Sequence, residues 1–306
     1  MTKFNKILVT GFSQSNLDEN VWAKIRELAD EVVFEFTPDA DCLLSRFNKI
    51  DKEFINSLPQ LKYIGILATG SATVDYEYAN SKGIVVSNIP GYATESVAEF
   101  TFAIILENLR NLKKAKQVAR DGDFSGDGFS ATEIKGKTFG IIGMGRIGVR
   151  VAEIAMAFGA KVVYWSRSRK EEIEAKGAKY ESLDNVVSKS DFLSLHLNRV
   201  KELEGIIDEQ QIKSLKSGMV FINVAPMELI NLTALENQLK EGDITFIFDH
   251  PDEMNPEDVT KLSQYKNCVV YPPIGFVTKE ARVLKQDIFV ANIENFLREK
   301  ASNRVS

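Results

Sequence analysis

Gly143, Gly145 and Gly148 form the pattern in this chain with the clearest chemical meaning. They follow the apolar segment Phe139–Ile142, which predicts a strand, and they open a segment with apolar residues at helical spacing. In such a turn the first glycine allows a tight bend, the second lets the backbone approach a pyrophosphate, and the third lets helix and strand pack closely. The helix N–H groups then face the phosphates. The spacing indicates a dinucleotide site; the alternative is a glycine turn that serves packing alone.

A second group of residues with chemical meaning follows the next predicted strand, Lys161–Trp165. Sites that prefer NAD carry an acidic residue at this place, which binds the ribose 2′-OH. Here the place holds Ser166, Arg167, Ser168 and Arg169. Arginine pairs with a 2′-phosphate through charge-assisted hydrogen bonds, and a serine hydroxyl can add another. The run favours NADP over NAD as the cofactor; the alternative is that the arginines are merely exposed.

Strands and helices alternate along the chain, and this alternation predicts how these residues are positioned. Short apolar segments typical of buried parallel strands occur at residues 6–10, 63–67, 84–87, 138–142, 161–165, 192–196, 219–224, 244–248 and 269–271. A long helix is predicted from Ala93 to about Val118. The predicted fold class is α/β with doubly wound parallel sheets, which bind ligands beyond the carboxyl ends of their strands.

Composition excludes several classes of function. The chain has 306 residues, which favours two domains, and its charged share of 26% is that of a soluble globular protein. A net charge of −5 argues against a nucleic-acid partner. Cys42 and Cys268 lack metal-ligand spacing, so no metal is expected and a reducing compartment fits. No apolar run is long enough to span a membrane, and we expect a cytoplasmic protein without a membrane partner.

Five segments together resemble the D-isomer-specific 2-hydroxyacid dehydrogenase family, of the glyoxylate and hydroxypyruvate reductase type. They are Asn88–Gly91, Glu95–Glu99, Gly136–Gly148, Ser190–Leu197 and Gly218–Ala225. The resemblance implies a homodimer that acts on a small-molecule substrate. It also implies a Rossmann-type cofactor domain inserted in a flavodoxin-like substrate domain. The substrate domain is expected at residues 1–98 plus 282–306 and the cofactor domain at residues 99–281.

The resemblance also implies which residues contact the ligands. Thr69, Gly70 and Ser71 are similar to the family's loop whose backbone N–H groups bind the substrate carboxylate; the alternative is a loop with a helix cap. Cofactor contacts are expected from the glycine loop and from later strand ends: Gly143, Met144, Gly145, Arg146, Ile147, Gly148, His196, Leu197, Val224, Ala225, Asp249 and Gly275.

The chain departs from the family at the three positions that carry its chemistry. The family uses an Arg to hold the substrate carboxylate, a His to transfer the proton, and a Glu to tune that His. Here the flanking residues place Pro226 at the Arg position and Pro273 at the His position. Equal spacing places Asn255 at the Glu position, unless a shifted register brings in Glu253. Proline offers no side-chain donor or charge, so the rate of ordinary 2-oxoacid reduction should be strongly reduced.

One substitute for the missing groups is His250, which follows a predicted strand and has Asp249 beside it to orient it. The alternative is a loop histidine, or a contact to the nicotinamide carboxamide. Three functions stay open: an NAD(P)-dependent oxidoreductase with an altered substrate class, a catalytically silent NAD(P)-binding sensor or partner protein, and a non-redox lyase or isomerase on the same fold.

Overall fold

The computed structural model describes residues 3–46, 48–71 and 73–305, which form two compact units. Unit 1 comprises Met1–Tyr92 with Thr278–Ser306, and unit 2 comprises Ala93–Val277. The boundaries expected from the sequence, after residues 98 and 281, fall inside two helices, Thr94–Arg110 and Lys279–Leu297. The structure keeps each of these helices within one unit.

Unit 1 is built on a five-stranded parallel sheet with the order β2-β1-β3-β4-β5. Its strands are β1 (Phe4–Thr10), β2 (Ala29–Val33), β3 (Cys42–Ser45), β4 (Tyr63–Ile66) and β5 (Val85–Ser87). Successive side chains of β3 enter different hydrophobic clusters, Cys42 and Leu44 on one face and Leu43 on the other. Both faces of β3 are therefore buried, which explains its run of apolar residues from Cys42 to Leu44.

Unit 2 is built on a seven-stranded parallel sheet with the order β12-β11-β10-β9-β6-β7-β8. Its strands are β6 (Thr138–Ile142), β7 (Lys161–Trp165), β8 (Lys179–Tyr180), β9 (Phe192–Leu195), β10 (Val220–Asn223), β11 (Thr245–Phe248) and β12 (Cys268–Val270). From β6 the chain winds outward to β8, and it then returns to β9 on the other side of β6. The strand order thus reverses between β6 and β9, where doubly wound sheets leave a crevice for a ligand.

The helices pack on these sheets, and the predicted α/β fold class with two doubly wound parallel sheets is confirmed. Unit 1 holds α1 (Glu19–Glu27), α2 (Lys52–Asn56) and α3 (Tyr76–Ser81). Unit 2 holds α4 (Thr94–Arg110), α5 (Leu112–Arg120), α6 (Arg146–Ala157), α7 (Glu171–Glu174), α8 (Leu183–Lys189), α9 (Glu209–Lys213), α10 (Leu232–Glu241) and α11 (Pro256–Ser263). The last helix, α12 (Lys279–Leu297), completes unit 1. No helix in the described part of the chain is long and apolar enough to cross a membrane.

The single long helix predicted from Ala93 to about Val118 is wrong in one respect, because the chain forms two helices there. Asn111 has φ of 51° and ψ of 44°, a left-handed conformation that ends α4 and starts α5 in a new direction. Asparagine tolerates this conformation better than most residues. The helix prediction used the spacing of apolar residues, which gives no information about this preference. As a consequence Leu112, the first residue of α5, is 40% exposed.

Candidate functional site

The turn between β6 and α6 has the geometry that its glycines predict. Gly143 has a positive φ of 100°, and a Cβ there would lie 2.5 Å from the carbonyl oxygen of His196. A Cβ at Gly148 would lie 2.1 Å from the carbonyl oxygen of Gly143, so only glycine lets α6 pack against β6. A Cβ at Gly145 would meet no atom within 4 Å. Gly145 therefore faces open space at the start of α6, where the helix dipole favours an anion.

An open groove of about 220 Å³ lies at the carboxyl ends of β6, β7 and β9, at the reversal of strand order. Its lining residues are Gly143, Met144, Gly145, Ser166, Arg167, Ser168, Lys170, His196, Leu197, Asn198, Val200 and Leu203. The structure thus brings the glycine loop together with the predicted contacts that follow β7 and β9. Arg146, Ile147 and Gly148 lie in the first turns of α6, outside this lining.

Positive charge at the far end of the groove comes from Arg167 and Lys170, both exposed. Among the residues that the structure describes, none with an acidic side chain lines the groove. Within the described residues neither cation has an ion-pair partner, so both are available to a bound anion. Lys170 was not among the predicted site residues, although it directly extends the Ser166–Arg169 run.

Arg169, which the sequence predicts as a cofactor contact, instead forms an ion pair with Glu174. Arg169 and the Tyr164 hydroxyl both donate to Glu174 and lower the pKa of its carboxyl to about 2. Arg169 also lies over the Tyr180 ring and does not line the groove. The Ser166 hydroxyl donates to the carbonyl of Ser168 at 2.5 Å, so it shapes the loop in addition to lining the groove.

His196 lines the groove with one ring nitrogen already bound to the protein. Its Nε2 lies 2.7 Å from the Ser194 hydroxyl, while its buried Nδ1 has no hydrogen-bond partner among the described residues. Burial lowers the pKa of His196 to about 3, so the ring is neutral at neutral pH. A buried nitrogen without a partner costs free energy that a ligand group can recover. The open space at Gly145 and this nitrogen both fit a dinucleotide bound along the groove.

A second cluster follows β11 and contains Asp249 and His250. Asp249 is 2% exposed, and its Oδ1 lies 3.5 Å from His250 Nε2. Burial raises the pKa of Asp249 to about 6, and the negative charges of Asp252 and Glu253 add to this effect. A Cβ at Gly275 would lie 3.1 Å from Asp249 Oδ2, so the segment after β12 reaches this cluster. The structure therefore brings together three residues that the sequence predicts separately.

The prolines at the expected Arg and His positions leave both positions without a polar side chain. Pro226 follows β10 and precedes a single 3-10 turn; the Asn223 side chain orders this bend by accepting from the Ala225 N–H at 3.0 Å. Val224 is half buried and Ala225 is buried beside it. Pro273 follows β12 and is half buried. Asn255 is the exposed N-cap residue that precedes α11, whereas Glu253 Oε1 lies 3.9 Å from His250 Nδ1.

In unit 1 the Thr69–Ser71 loop follows the carboxyl end of β4. The Thr69 hydroxyl donates to the carbonyl of Ile89 at 3.0 Å, and the Asn88 side chain donates to the carbonyl of Thr69 at 2.6 Å. A Cβ at Gly70 would meet no atom within 4 Å. The loop is thus fixed by its neighbours on one side and open at Gly70.

The raised pKa of Asp249 predicts that Asp249→Asn stabilises the protein at neutral pH. The folded state holds a proton that the unfolded chain, with a pKa near 3.8, releases earlier, so stability falls as pH rises from about 4 to about 6. Asparagine carries no such penalty, and we expect a gain of about 1–3 kcal/mol at about pH 7.5 that disappears below about pH 4. Urea unfolding across this range measures it. Asp252→Asn, at an exposed acid of the same cluster, is the control, and equal stability of Asp249→Asn and wild type at neutral pH would contradict the assignment.

Comparison with known proteins defines the class of protein to which this chain belongs. Residues 102–275 match the family described as D-isomer specific 2-hydroxyacid dehydrogenase, NAD binding domain. The chain belongs to the D-isomer-specific 2-hydroxyacid dehydrogenase family, and the predicted nicotinamide dinucleotide cofactor is confirmed at this level. A glyoxylate reductase from Aeropyrum pernix is 35% identical over 296 residues, which cover 92% of this chain and 88% of that protein.

Two solved structures are similar over almost the whole chain. An acyclic imino acid reductase in complex with NADPH and D-Arg has a TM-score of 0.84 and 29% identity, and the match covers 98% of this chain and 100% of that one. D-Lactate dehydrogenase from Aquifex aeolicus, complexed with NAD and lactic acid, has a TM-score of 0.83 and 27% identity, with 97% and 96% covered. These two similar structures are thus a reductase with bound NADPH and a dehydrogenase with bound NAD.

Proposed function

We propose that this protein is an NADP(H)-dependent oxidoreductase whose substrate differs from the 2-oxoacids of its glyoxylate-reducing relatives. The observation that carries the proposal is the pairing of an intact nucleotide groove with Pro226 and Pro273 at the two positions that should hold Arg and His. The groove keeps the glycine geometry of a dinucleotide site. Without the two polar side chains, the chemistry must use an acceptor that needs neither.

The residues that would hold the cofactor follow from the groove. Gly145 and the N–H groups at the start of α6 would receive the pyrophosphate, and Arg167 with Lys170 would pair with a 2′-phosphate. Val224, Ala225, Asp249 and Gly275 follow later strands along the same carboxyl edge and would contact the nicotinamide. The bound cofactor supplies a hydride; the protein orients it and excludes water from the reacting carbon.

Asp249 and His250 are the groups of unit 2 that we propose to handle the proton. Burial raises the pKa of the Asp249 carboxyl to about 6, and this carboxyl lies 3.5 Å from the His250 imidazole, so the pair is placed to pass a proton to or from a substrate. Glu253 lies on the other side of the same ring. In unit 1, Thr69, Gly70 and Ser71 are proposed to bind a polar group of the substrate. An imine, an aldehyde or a related electrophile fits, since hydride transfer needs proximity and a polarised acceptor.

The substitution Arg167→Gln tests the nucleotide site, because it should change the affinity for NADPH and not the affinity for NADH. Each charge-assisted hydrogen bond contributes about 1.5–3 kcal/mol, so we expect NADPH affinity to fall about 10- to 100-fold. NADH has no 2′-phosphate, and its affinity should change by less than about threefold. Titration of both nucleotides by fluorescence measures the two dissociation constants. Arg169→Gln is the matched control, because that arginine is held by Glu174 outside the groove; equal losses in the two variants would contradict the assignment.

A second candidate function is a silent nucleotide-binding protein, which the two prolines favour. Oxidation of NADPH in the presence of a panel of imines, aldehydes and 2-oxoacids separates the two. Turnover of any of these compounds supports the oxidoreductase. Tight NADPH binding without oxidation of NADPH by any of them supports the catalytically silent protein. A lyase or isomerase would convert its substrate with no net change in cofactor redox state.

The homodimer and the cytoplasmic location stay predictions. Large apolar side chains exposed on unit 2 support self-association: Phe124 is 86% exposed, and Leu112 and Phe158 are about half as exposed. Exposed apolar groups of this kind are typical of protein interaction surfaces.

A further inference from the structure

Tyr164, in β7, reaches across the loop that carries the cations of the nucleotide groove. Its side chain is fully buried, and its hydroxyl joins two groups that follow the strand. The hydroxyl donates to Glu174 Oε1 at 2.6 Å, and it accepts from the backbone N–H of Lys170 at 2.7 Å. One phenol oxygen thus connects the buried strand to a residue that lines the groove and to the acid that holds Arg169.

The direction of these two hydrogen bonds follows from the charge of Glu174. Arg169 and the Tyr164 hydroxyl lower the pKa of Glu174 to about 2, so its carboxylate carries no proton. Burial and the hydrogen bond to Glu174 raise the pKa of Tyr164 to about 12, so the phenol keeps its proton. The hydroxyl has one proton to donate, and Glu174 receives it. Its lone pairs then accept from the Lys170 N–H.

The loop at residues 166–170 is fixed at both of its ends. At the start, the carbonyl of Trp165 accepts from the Gly143 N–H at 2.9 Å, which joins the loop to the glycine turn. At the end, the carbonyl of Lys170 accepts from the Glu174 N–H at 3.1 Å, and the N–H of the same residue is held by the phenol. Both backbone polar groups of Lys170 are therefore occupied, and its position at the groove is set before any ligand binds.

The same hydrogen bonds separate the cations of the loop. Glu174 accepts from Arg169 Nε at 3.2 Å, and that arginine does not line the groove. Arg167 and Lys170 do line it, and both are exposed. A loop that is already held in one geometry loses little entropy when a ligand binds, which raises the affinity for that ligand.

We propose that Tyr164 is a positioning residue of the nucleotide site: its hydroxyl, held by Glu174, fixes the backbone of Lys170 and so places Arg167 and Lys170 for the 2′-phosphate of NADP. The inference rests on the proposed function, because it assigns a residue that decides how strongly this site prefers NADPH to NADH. Tyr164 acts through the loop, since its side chain is fully buried and lies outside the lining of the groove.

The test is Tyr164→Phe in the full chain, with NADPH and NADH titrated by fluorescence. The variant keeps the buried ring and removes only the hydroxyl that holds Lys170. The dissociation constant for NADPH should rise about three- to tenfold, as expected for the loss of one hydrogen bond. The constant for NADH, which has no 2′-phosphate, should rise by less than about twofold. Without nucleotide, the Lys170 amide should exchange with solvent at least about threefold faster than in wild type.

Tyr180→Phe is the matched control, because it removes a phenol hydroxyl from the neighbouring strand β8. The Tyr180 and Tyr164 rings pack with their centroids 5.4 Å apart. Among the described residues, the Tyr180 hydroxyl takes no part in the hydrogen bonds that hold Lys170 and Glu174. This variant should change the affinity for either nucleotide by less than about twofold.

The inference is overturned if Tyr164→Phe binds NADPH as tightly as wild type, or if its Lys170 amide exchanges no faster. Equal losses of NADPH and NADH affinity would also overturn it, because the hydroxyl would then serve the fold alone. A loss of NADPH affinity in Arg167→Gln without one in Tyr164→Phe rejects this inference and keeps the proposed NADP site. Wild type that does not prefer NADPH, and that loses nothing in Arg167→Gln, rejects both.

Discussion

Gly148→Ala should severely destabilise the protein, whereas Gly145→Ala should leave it folded and unable to bind the dinucleotide. The two glycines lie three residues apart in one loop, yet their surroundings are opposite. A methyl group at position 148 would lie 2.1 Å from a backbone carbonyl oxygen, which cannot move without separating α6 from β6. Overpacking of buried sites lowers the free energy of unfolding by about 1–3 kcal/mol. A clash with the backbone should cost at least as much as the upper end of this range, because the backbone cannot move aside as a side chain can. We expect a loss of about 3 kcal/mol or more.

At position 145 the backbone conformation, with φ of −80°, suits alanine, and the methyl group meets no atom within 4 Å. Stability should stay within about 1 kcal/mol of wild type. The methyl group would occupy the space through which the backbone approaches the pyrophosphate, and we expect NADPH affinity to fall at least about 100-fold. Denaturant unfolding and nucleotide titration of both variants check the pair. Normal NADPH binding by Gly145→Ala would show that the nucleotide does not lie in this groove.

Replacing Pro226 by Arg and Pro273 by His together should create measurable 2-oxoacid reductase activity. A well-placed general acid accelerates a reaction by about 10²- to 10⁴-fold, and a bidentate guanidinium orients the substrate carboxylate as well. The double variant should therefore reduce glyoxylate at least about 100-fold faster than wild type. Either single variant should gain much less, because residues that act as a unit contribute non-additively. NADPH oxidation with glyoxylate measures the effect.

The matched control combines Pro226→Arg with Pro272→His, which puts the imidazole one residue away on an exposed position. Both variants lose two prolines and thus about 0.4–1 kcal/mol of stability for each one. Equal activity of the two, in folded protein that binds NADPH, would show that position 273 does not face the reacting carbon. The assignment of position 273 to the family's His position, which was made from the flanking residues, would then be wrong.

The sequence by itself determined the features that depend on neighbours along the chain. The glycine turn is one, since a positive φ at Gly143 and the close approach at Gly148 are local requirements that only glycine meets. The two doubly wound sheets follow from the alternation of apolar strands with helices. The assignment of positions 226 and 273 to the family's Arg and His stays a prediction from the residues that flank them. Each of these inferences needs no information about contacts between distant segments.

The tertiary structure alone decided which charged side chains serve a site and which serve the fold. Arg169 and Lys170 are adjacent and chemically similar, yet Glu174 and Tyr164 hold the first while the second lines the groove. Burial set the pKa of Asp249. These outcomes depend on distance, desolvation and competing partners in three dimensions, and residue spacing along the chain does not contain them.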